Sequence, residues 1–321
     1  MQNLGTLGGD ESAAYAVSAN GEVVIGWACD VTGRKRAFRW ENGTMQDLGT
    51  LGGDESAAYG VSANGDIVVG WAEDHNKQRR AFYWQGGNMY DLGTLGGDNS
   101  EACGISASGE LVVGWSENAQ GSCEAFYYEK KNSQMKPLST PNGYLHSFAL
   151  GISAEPILVC CGMSGWQVKF AAVGYAESKG SPPQALLWEI TQNLFQSSFV
   201  ASNPQILNPV SGTCGCRAYS CSFDAFYGPS SDEILRVIGE SKDQSGCALL
   251  WIRRKNLQNQ NATTSVNPIN IACNTLKHAR RLPRLEVAYG ISSLRTYPRL
   301  IVGWGNNPYT GRMEAILLEM P

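Results

Sequence analysis

The chain has 321 residues, 37 of them Gly; 43% are hydrophobic and 17% are charged, below the ~25% charge usual in soluble domains. That balance excludes a disordered chain, which is richer in charge and poorer in aromatics, and Gly does not fall at every third position as collagen requires. With 25 Lys and Arg against 29 Asp and Glu the net charge is −4, so no global basic field recruits nucleic acid or an anionic membrane surface. No run approaches the ~18 consecutive apolar residues of a bilayer span. Glycine excess without proline excess predicts many tight turns between short strands, an all-β chain.

Taken in order, the chain opens on Met1-Gln2-Asn3-Leu4-Gly5, which has neither the basic nor the apolar region of a secretory leader. A repeat starts at once. Leu-Gly-Thr-Leu-Gly-Gly-Asp stands at residues 4–10, 48–54 and 92–98, a period of 44. Each unit continues with a small or aromatic run ending in Ser (Ser18, Ser62, Ser106), then Val24-Ile-Gly-Trp27, Val68-Val-Gly-Trp71 and Val112-Val-Gly-Trp115. Ala37-Phe-Arg-Trp40, Ala81-Phe-Tyr-Trp84 and Ala125-Phe-Tyr-Tyr128 follow.

The second half carries the same skeleton, as Ala172-Val-Gly-Tyr175, Val237-Ile-Gly-Glu240 and Ile301-Val-Gly-Trp304, each followed by Ala185-Leu-Leu-Trp188, Ala248-Leu-Leu-Trp251 or Ala315-Ile-Leu-Leu318. Six units result. Spacings between the anchor glycines lengthen from 44 and 44 to 60, 65 and 64. The extra residues are expected as loops or lengthened hairpins near 155–170, 191–221 and 256–284.

Within a unit four β-branched or aromatic runs, lettered a to d from the Ser run onward, alternate with turn signals: Asn20-Gly21 and Asn64-Gly65 between a and b, Asn42-Gly43 and Gly86-Gly87 between c and d. Such pairs favour type I′ hairpins, which need two positive φ angles. Four-stranded units of this length predict propeller blades. The last unit stops after its third run, whereas Met1 to Gly5 resembles the fourth run at Met45 to Gly49. The residues from Gly303 to the end and from the start to Gly26 together make one period of 44. The expectation is a single six-bladed β-propeller domain over residues 1–321, regular over 4–137 and decorated over 138–321, with its last blade closed by the N-terminal strand.

These motifs resemble the HAF-family repeat of bacteria, whose Asp-Leu-Gly-Thr-Leu-Gly-Gly, Val-Val-Gly and Ala-Phe-x-Trp pattern stands almost intact over residues 4–137 and only as a skeleton afterwards. The resemblance implies a β-rich bacterial repeat protein in a secreted or extracellular setting, with the cytoplasm as the alternative, and implies no activity. Where the family often places His before Ala-Phe, this chain has Arg36, Arg80 and Glu124, so no role of that His carries over.

Chemistry-bearing patterns are sparse. The three His do not sit in a catalytic or metal-binding motif, and there is no nucleophile elbow, phosphate loop or dinucleotide fingerprint. Asp10-Glu11, Asp54-Glu55 and Asp98 recur at the d to a connection. They are expected either as turn residues accepting from backbone N–H groups two residues on or as an acidic ring for a divalent cation or polar ligand. The b to c connections emerge at the same end and add Arg34, Arg36 and Arg80. Trp27, Trp71 and Trp115 end the b runs there, either packing between blades or forming stacking platforms.

Ten cysteines are present, seven after residue 150. Cys214, Cys216 and Cys221 are weak zinc candidates because their spacing is not Cys-x2-Cys. Free thiols, disulfides and a metal site all stay open. The function expected is a non-catalytic, monomeric binding scaffold that takes a protein or glycan at the d-a and b-c end and needs no cofactor. The alternatives are a hydrolase or lyase using carboxylates and a cation, or a secreted factor acting on a host protein.

Overall fold

The Gly-rich connections and β-branched runs expected of antiparallel sheets appear as 25 strands among the described residues of the computed structural model. It describes residues 4–160, 166–193 and 198–207, and thereafter the seven strands between Cys216 and Met320. The chain divides into two units, Met1–Leu138 and Ser139–Pro321. The division falls where the regular repeats give way to the decorated ones.

The first unit holds three four-stranded sheets of identical order. Sheet one is β1 (Gly8–Val17), β2 (Val23–Asp30), β3 (Lys35–Glu41) and β4 (Thr44–Asp47). Sheet two is β5 (Gly52–Val61), β6 (Ile67–Asp74), β7 (Arg79–Gln85) and β8 (Asn88–Asp91). Sheet three is β9 (Gly96–Ile105), β10 (Leu111–Asn118), β11 (Cys123–Glu129) and β12 (Gln134–Pro137). All pairings are antiparallel meanders, so the repeating unit is the propeller blade, in the a to d phase expected.

Ile25, Ala37 and Leu48 from the first sheet meet Ala58, Val68, Phe82 and Trp84 from the second in one buried cluster. Val69, Ala81 and Leu92 meet Ala102, Val112, Phe126 and Tyr128 of the third in another. Burial of these faces supplies the main force that holds sheet to sheet.

The anchor glycine of each Val-Gly motif has a steric reason. A Cβ on Gly26, Gly70 or Gly114 would lie 1.9, 2.0 and 2.0 Å from the carbonyl oxygen of Ala13, Ala57 or Glu101 on the neighbouring strand. The register shifts beside these points, between Ala14 and Ala16 and between Ala58 and Gly60, so strand a bulges toward strand b and only hydrogen fits.

The turns divide into two kinds. Asn42-Gly43 and Gly86-Gly87 have positive φ at both residues, the I′ geometry expected. At Asn20-Gly21 and Asn64-Gly65 only the Gly is positive. There Gly21 N–H donates to Ser18 O and Ser18 N–H to Val23 O, a longer loop built on a turn. The Asn side chain accepts from the Ser18 hydroxyl at 2.6 Å instead of adopting the left-handed conformation. The I′ expectation is therefore corrected for the a to b connections.

In the second unit, sheet four contains β13 (His146–Ile152), β14 (Ile157–Cys160), β15 (Trp166–Ser178), β16 (Ser181–Asn193), β17 (Val200–Ala201) and β18 (Gln205–Leu207). Its core order is β13-β15-β16-β17, with β14 added on β15 and β18 on β16. The additional residues near 155–170 lengthen a hairpin, pairing Ile157 with Lys169 and Leu158 with Val168. Gly174 repeats the anchor, with a Cβ 1.8 Å from Phe148 O.

Sheet five is β19 (Cys216–Ala225), β20 (Asp232–Ser241), β21 (Ala248–Asn256) and β22 (Pro268–Asn270). Sheet six is β23 (Arg284–Ile291), β24 (Arg299–Asn306) and β25 (Met313–Met320). Its three strands match the three runs of the last repeat. The strand expected to close it begins in residues 1–3, outside the described residues, as does most of 256–284.

Candidate functional site

In sheets one to three the d to a and b to c connections emerge together, tied by bridges between Leu7 and Asp30, Leu51 and Asp74, and Leu95 and Asn118. At this end the turn role expected of Asp10, Asp54 and Asp98 belongs to other residues. Asp30 Oδ1 accepts from Thr32 N–H at 2.8 Å and Arg34 N–H at 3.1 Å. Asp74 does the same for Asn76 and Gln78, and Asn118 for Gln120 and Ser122. The Thr32 hydroxyl, donating at 2.6 Å, is the chief cause that holds the Asp30 carboxyl below its ordinary value. Asp47 and Asp91 accept from Gly49 and Gly93 N–H in a similar way. Asp10, Asp54 and Asp98 instead lie within β1, β5 and β9, on bulges that separate them from the turn.

Those bulges have their own internal acceptors. Glu73 Oε2 receives the N–H groups of Asp54 and Glu55 at 3.0 and 3.2 Å, and Glu117 Oε2 receives those of Asp98 and Asn99 at 3.2 and 3.1 Å. One repeat earlier the same position is Cys29, a free thiol with no carboxylate.

The second repeat is occupied by its own chain. Asp54 forms an ion pair with Arg34 at 3.0 Å and another with Lys77. The Lys77 hydrogen bond is the main reason its carboxyl is held below the ordinary value. Arg36 pairs with Asp47 at 3.2 Å and donates to Asp54 O at 3.1 Å, and Arg80 pairs with Asp91 at 3.2 Å. Both side chains are only 19% exposed. Arg36 and Arg80 thus join elements inside the unit.

A serine relay joins sheet to sheet. Ser56 Oγ accepts Ala37 N–H from sheet one at 2.9 Å and donates to Gly49 O at 2.7 Å. Ser100 repeats this with Ala81 N–H and Gly93 O at 2.9 and 2.7 Å. The sequence reading missed this role, although Ser12, Ser56 and Ser100 recur with the period of 44.

The tryptophans differ among themselves. Trp71 is 4% exposed, donates to Tyr59 Oη at 3.0 Å and carries the Arg79 guanidinium 4.1 Å above its ring. That burial removes it as an open stacking platform. Arg79 also pairs with Glu101 at 2.8 Å; burial pushes the Glu101 carboxyl up, opposed by Arg79 and by a hydrogen bond from Trp115. Trp27 is half-buried, donates to Tyr15 Oη at 3.0 Å and has the Lys35 ammonium 4.5 Å from its ring centre.

The first repeat places the same residue types around a cleft. Gly5, Thr6, Asp10, Glu11, Ser12 and Trp27 line a cleft of about 600 Å³. Asp10, Glu11 and Ser12 are exposed. Ser12 Oγ donates to Gly5 O at 2.8 Å. Among the described residues no cation pairs with Asp10 or Glu11, and no N–H reaches Ser12 as Ala37 reaches Ser56. Asp98 is exposed and Glu55 half-buried, but neither lines this cleft.

No group of three His, Cys, Asp or Glu that would hold a metal occurs among the described residues. Cys214 lies outside them, and Cys216 and Cys221 sit on β19. Cys29 and Cys103 are free thiols, and burial pushes the Cys103 thiol up.

No family model matches the chain, and no curated protein does. Among solved structures it is similar to TolB from Acinetobacter baumannii, at 14% identity and TM-score 0.43 over 81% of this chain and 57% of that one. The chain thus spans just over half of that relative's length. It is also similar to the SapL1 lectin in complex with alpha methyl fucoside, at 10% identity and TM-score 0.42 over 98% and 96%. A third likeness is to prolyl endopeptidases, at 12% identity and TM-score 0.42 over 97% and 42%. At such identities and scores nothing about this chain's ligand follows from them.

Proposed function

We propose that the chain is a non-catalytic binding scaffold whose recognition end carries the d-a and b-c connections, with the cleft at Asp10, Glu11, Ser12 and Trp27 as its principal contact. The observation that carries this is the contrast among repeats. The second repeat spends its acidic and basic groups on Arg34, Lys77 and Asp47 pairs, whereas the first presents two carboxylates, a hydroxyl and an indole edge in one cleft. Polar groups arranged around an aromatic wall fix the orientation of a ligand, and the indole supplies apolar contact area.

A protein or a glycan satisfies that chemistry, and the acidic cleft favours a protein carrying positive charge. The HAF resemblance supports a secreted or surface setting for such a scaffold. The test is a defined array of peptides and glycans probed with the native chain and with Trp27→Ala and Glu11→Gln variants. Binding lost in both variants, with unchanged melting, supports the reading. An identical binding pattern in all three, or an array without any bound member, contradicts it.

A further inference from the structure

We infer that Asn42 is a self-modification site: at the β3 to β4 turn the backbone nitrogen of Gly43 attacks the Asn42 side-chain amide and converts the residue to aspartate and isoaspartate. The matching pairs Asn20-Gly21 and Asn64-Gly65 are protected. The inference is independent of the binding reading above, because this turn lies at the end of sheet one away from the d-a and b-c connections.

The chemistry needs only water and a base. The base takes the Gly43 amide proton, the nitrogen bonds to Asn42 Cγ, the Cγ–Nδ2 bond breaks and ammonia leaves with a proton, which closes a succinimide ring. Water then opens the ring at either carbonyl, giving aspartate or an isoaspartate whose backbone carries an extra carbon. Glycine favours the attack because no Cβ crowds the nitrogen. The chain has four such pairs, at Asn20, Asn42, Asn64 and Asn142.

Hydrogen bonding separates them. Asn20 Oδ1 accepts from the Ser18 hydroxyl at 2.6 Å and from Glu22 N–H at 3.2 Å, and its Nδ2 donates to the Glu22 carboxylate at 2.5 Å. Gly21 N–H, the attacking group of that pair, donates to Ser18 O at 2.9 Å. Asn64 repeats this with the Ser62 hydroxyl at 2.8 Å, Asp66 N–H at 3.2 Å and the Asp66 carboxylate at 2.6 Å, and Gly65 N–H donates to Ser62 O at 3.0 Å. Attack at either pair breaks bonds on the amide and on the nitrogen together. Among the described residues neither the Asn42 side chain nor Gly43 N–H has a hydrogen-bond partner. Both residues are exposed, and a Cβ on Gly43 would meet nothing within 4 Å. Asn142 stands in a different turn, where Tyr144 N–H donates to Pro141 O and the Ser178 hydroxyl holds Gly143 O.

A sheet packed beside sheet one leaves this turn in solvent. Gly86-Gly87 is the same turn in sheet two, which packs against sheet one and sheet three, and both glycines are exposed.

The experiment incubates the full chain at mildly alkaline pH, folded and in denaturant, and follows each Asn-Gly pair by peptide mass spectrometry and by enzymatic methylation of isoaspartate. Trypsin leaves Asn42 and Asn64 on one peptide, residues 40–77, so conversion during digestion affects both alike. In the folded chain Asn42 is expected to convert ~10-fold or more faster than Asn20 and Asn64, the factor that one or two broken hydrogen bonds supply. In denaturant the three rates should converge. Ser62→Ala should speed conversion at Asn64 and leave Asn42 unchanged. Equal rates at the three pairs in the folded chain, an Asn42 that stays intact while the denatured chain converts, or a preference for Asn42 that persists in denaturant overturns the inference. An Asn64 rate unmoved by Ser62→Ala in a chain that still folds also overturns it.

Discussion

Ser56 shows how one small side chain holds two sheets at once. Its hydroxyl oxygen receives a buried N–H from one sheet and its proton goes to a carbonyl of the d to a connection. Ser56→Ala leaves Ala37 N–H buried without an acceptor, and the expected cost is ~1 to 3 kcal/mol in urea or thermal unfolding. Ser12→Ala, whose hydroxyl among the described residues donates to the exposed Gly5 carbonyl and receives no buried N–H, should cost far less by the same measurement.

Glu101 gives a prediction in pH. Its folded carboxyl is raised above the ordinary 4.5 mainly by burial, so between the unfolded and folded values the folded state binds more protons. Stability is therefore lost as pH rises from 4.5 through the folded value. Melting temperatures of the native chain should fall over that interval relative to Glu101→Gln. A relative rise would show that the Arg79 pair outweighs burial. Arg36→Ala, similarly, should lower the melting temperature, because the side chain spans Asp47 and the Asp54 carbonyl.

At the scale of the element, the bulged strand a facing a glycine on strand b is the device that repeats. Gly70→Ala would place a methyl carbon 2.0 Å from Ala57 O, and backbone cannot yield that far without breaking the ladder. The expected loss is ~3 kcal/mol or more, at the high end for single substitutions. Gly43→Ala at a tight turn, with open space around its Cβ position, should cost only the strain of its positive φ.

Much of this level was legible in the sequence, because Val-Gly-Trp and Ala-Phe-x-Trp recur at a period of 44 and mark strands b and c by an anchor glycine at fixed spacing. The four-strand order and the phase of the meander followed directly. The a to b turns were not legible. An Asn-Gly pair is compatible with two loop lengths, and the choice is made by the Ser18 and Ser62 hydroxyls, which hold the Asn side chains. The site was legible only as a region. Which aspartates are turn residues depends on the bulge, which moves Asp10, Asp54 and Asp98 off the turn. Whether Arg36 is available to a partner depends on Asp47, eleven residues away and adjacent only across the sheet.

For the molecule as a whole, two compact units meet the sequence at the point where its repeats change character. The first contains two complete inter-sheet clusters of its own. Repeat arrays derive stability from each unit and its neighbour contacts. A fragment of residues 1–138 is therefore expected to give β-type circular dichroism and a cooperative thermal transition. A broad, non-cooperative melt would show that these clusters are insufficient alone.

The same repetition makes the functional claim sharp, because three near-identical bulges differ in what their acidic groups touch. The most direct measurement is the dissociation constant of the best array ligand for the native chain, for Asp10→Asn and for Asp54→Asn. The account predicts a loss of ~10-fold or more for Asp10→Asn and little change for Asp54→Asn, whose carboxylate already serves Arg34 and Lys77. Equal losses in the two variants, or a loss confined to Asp54→Asn, would contradict it.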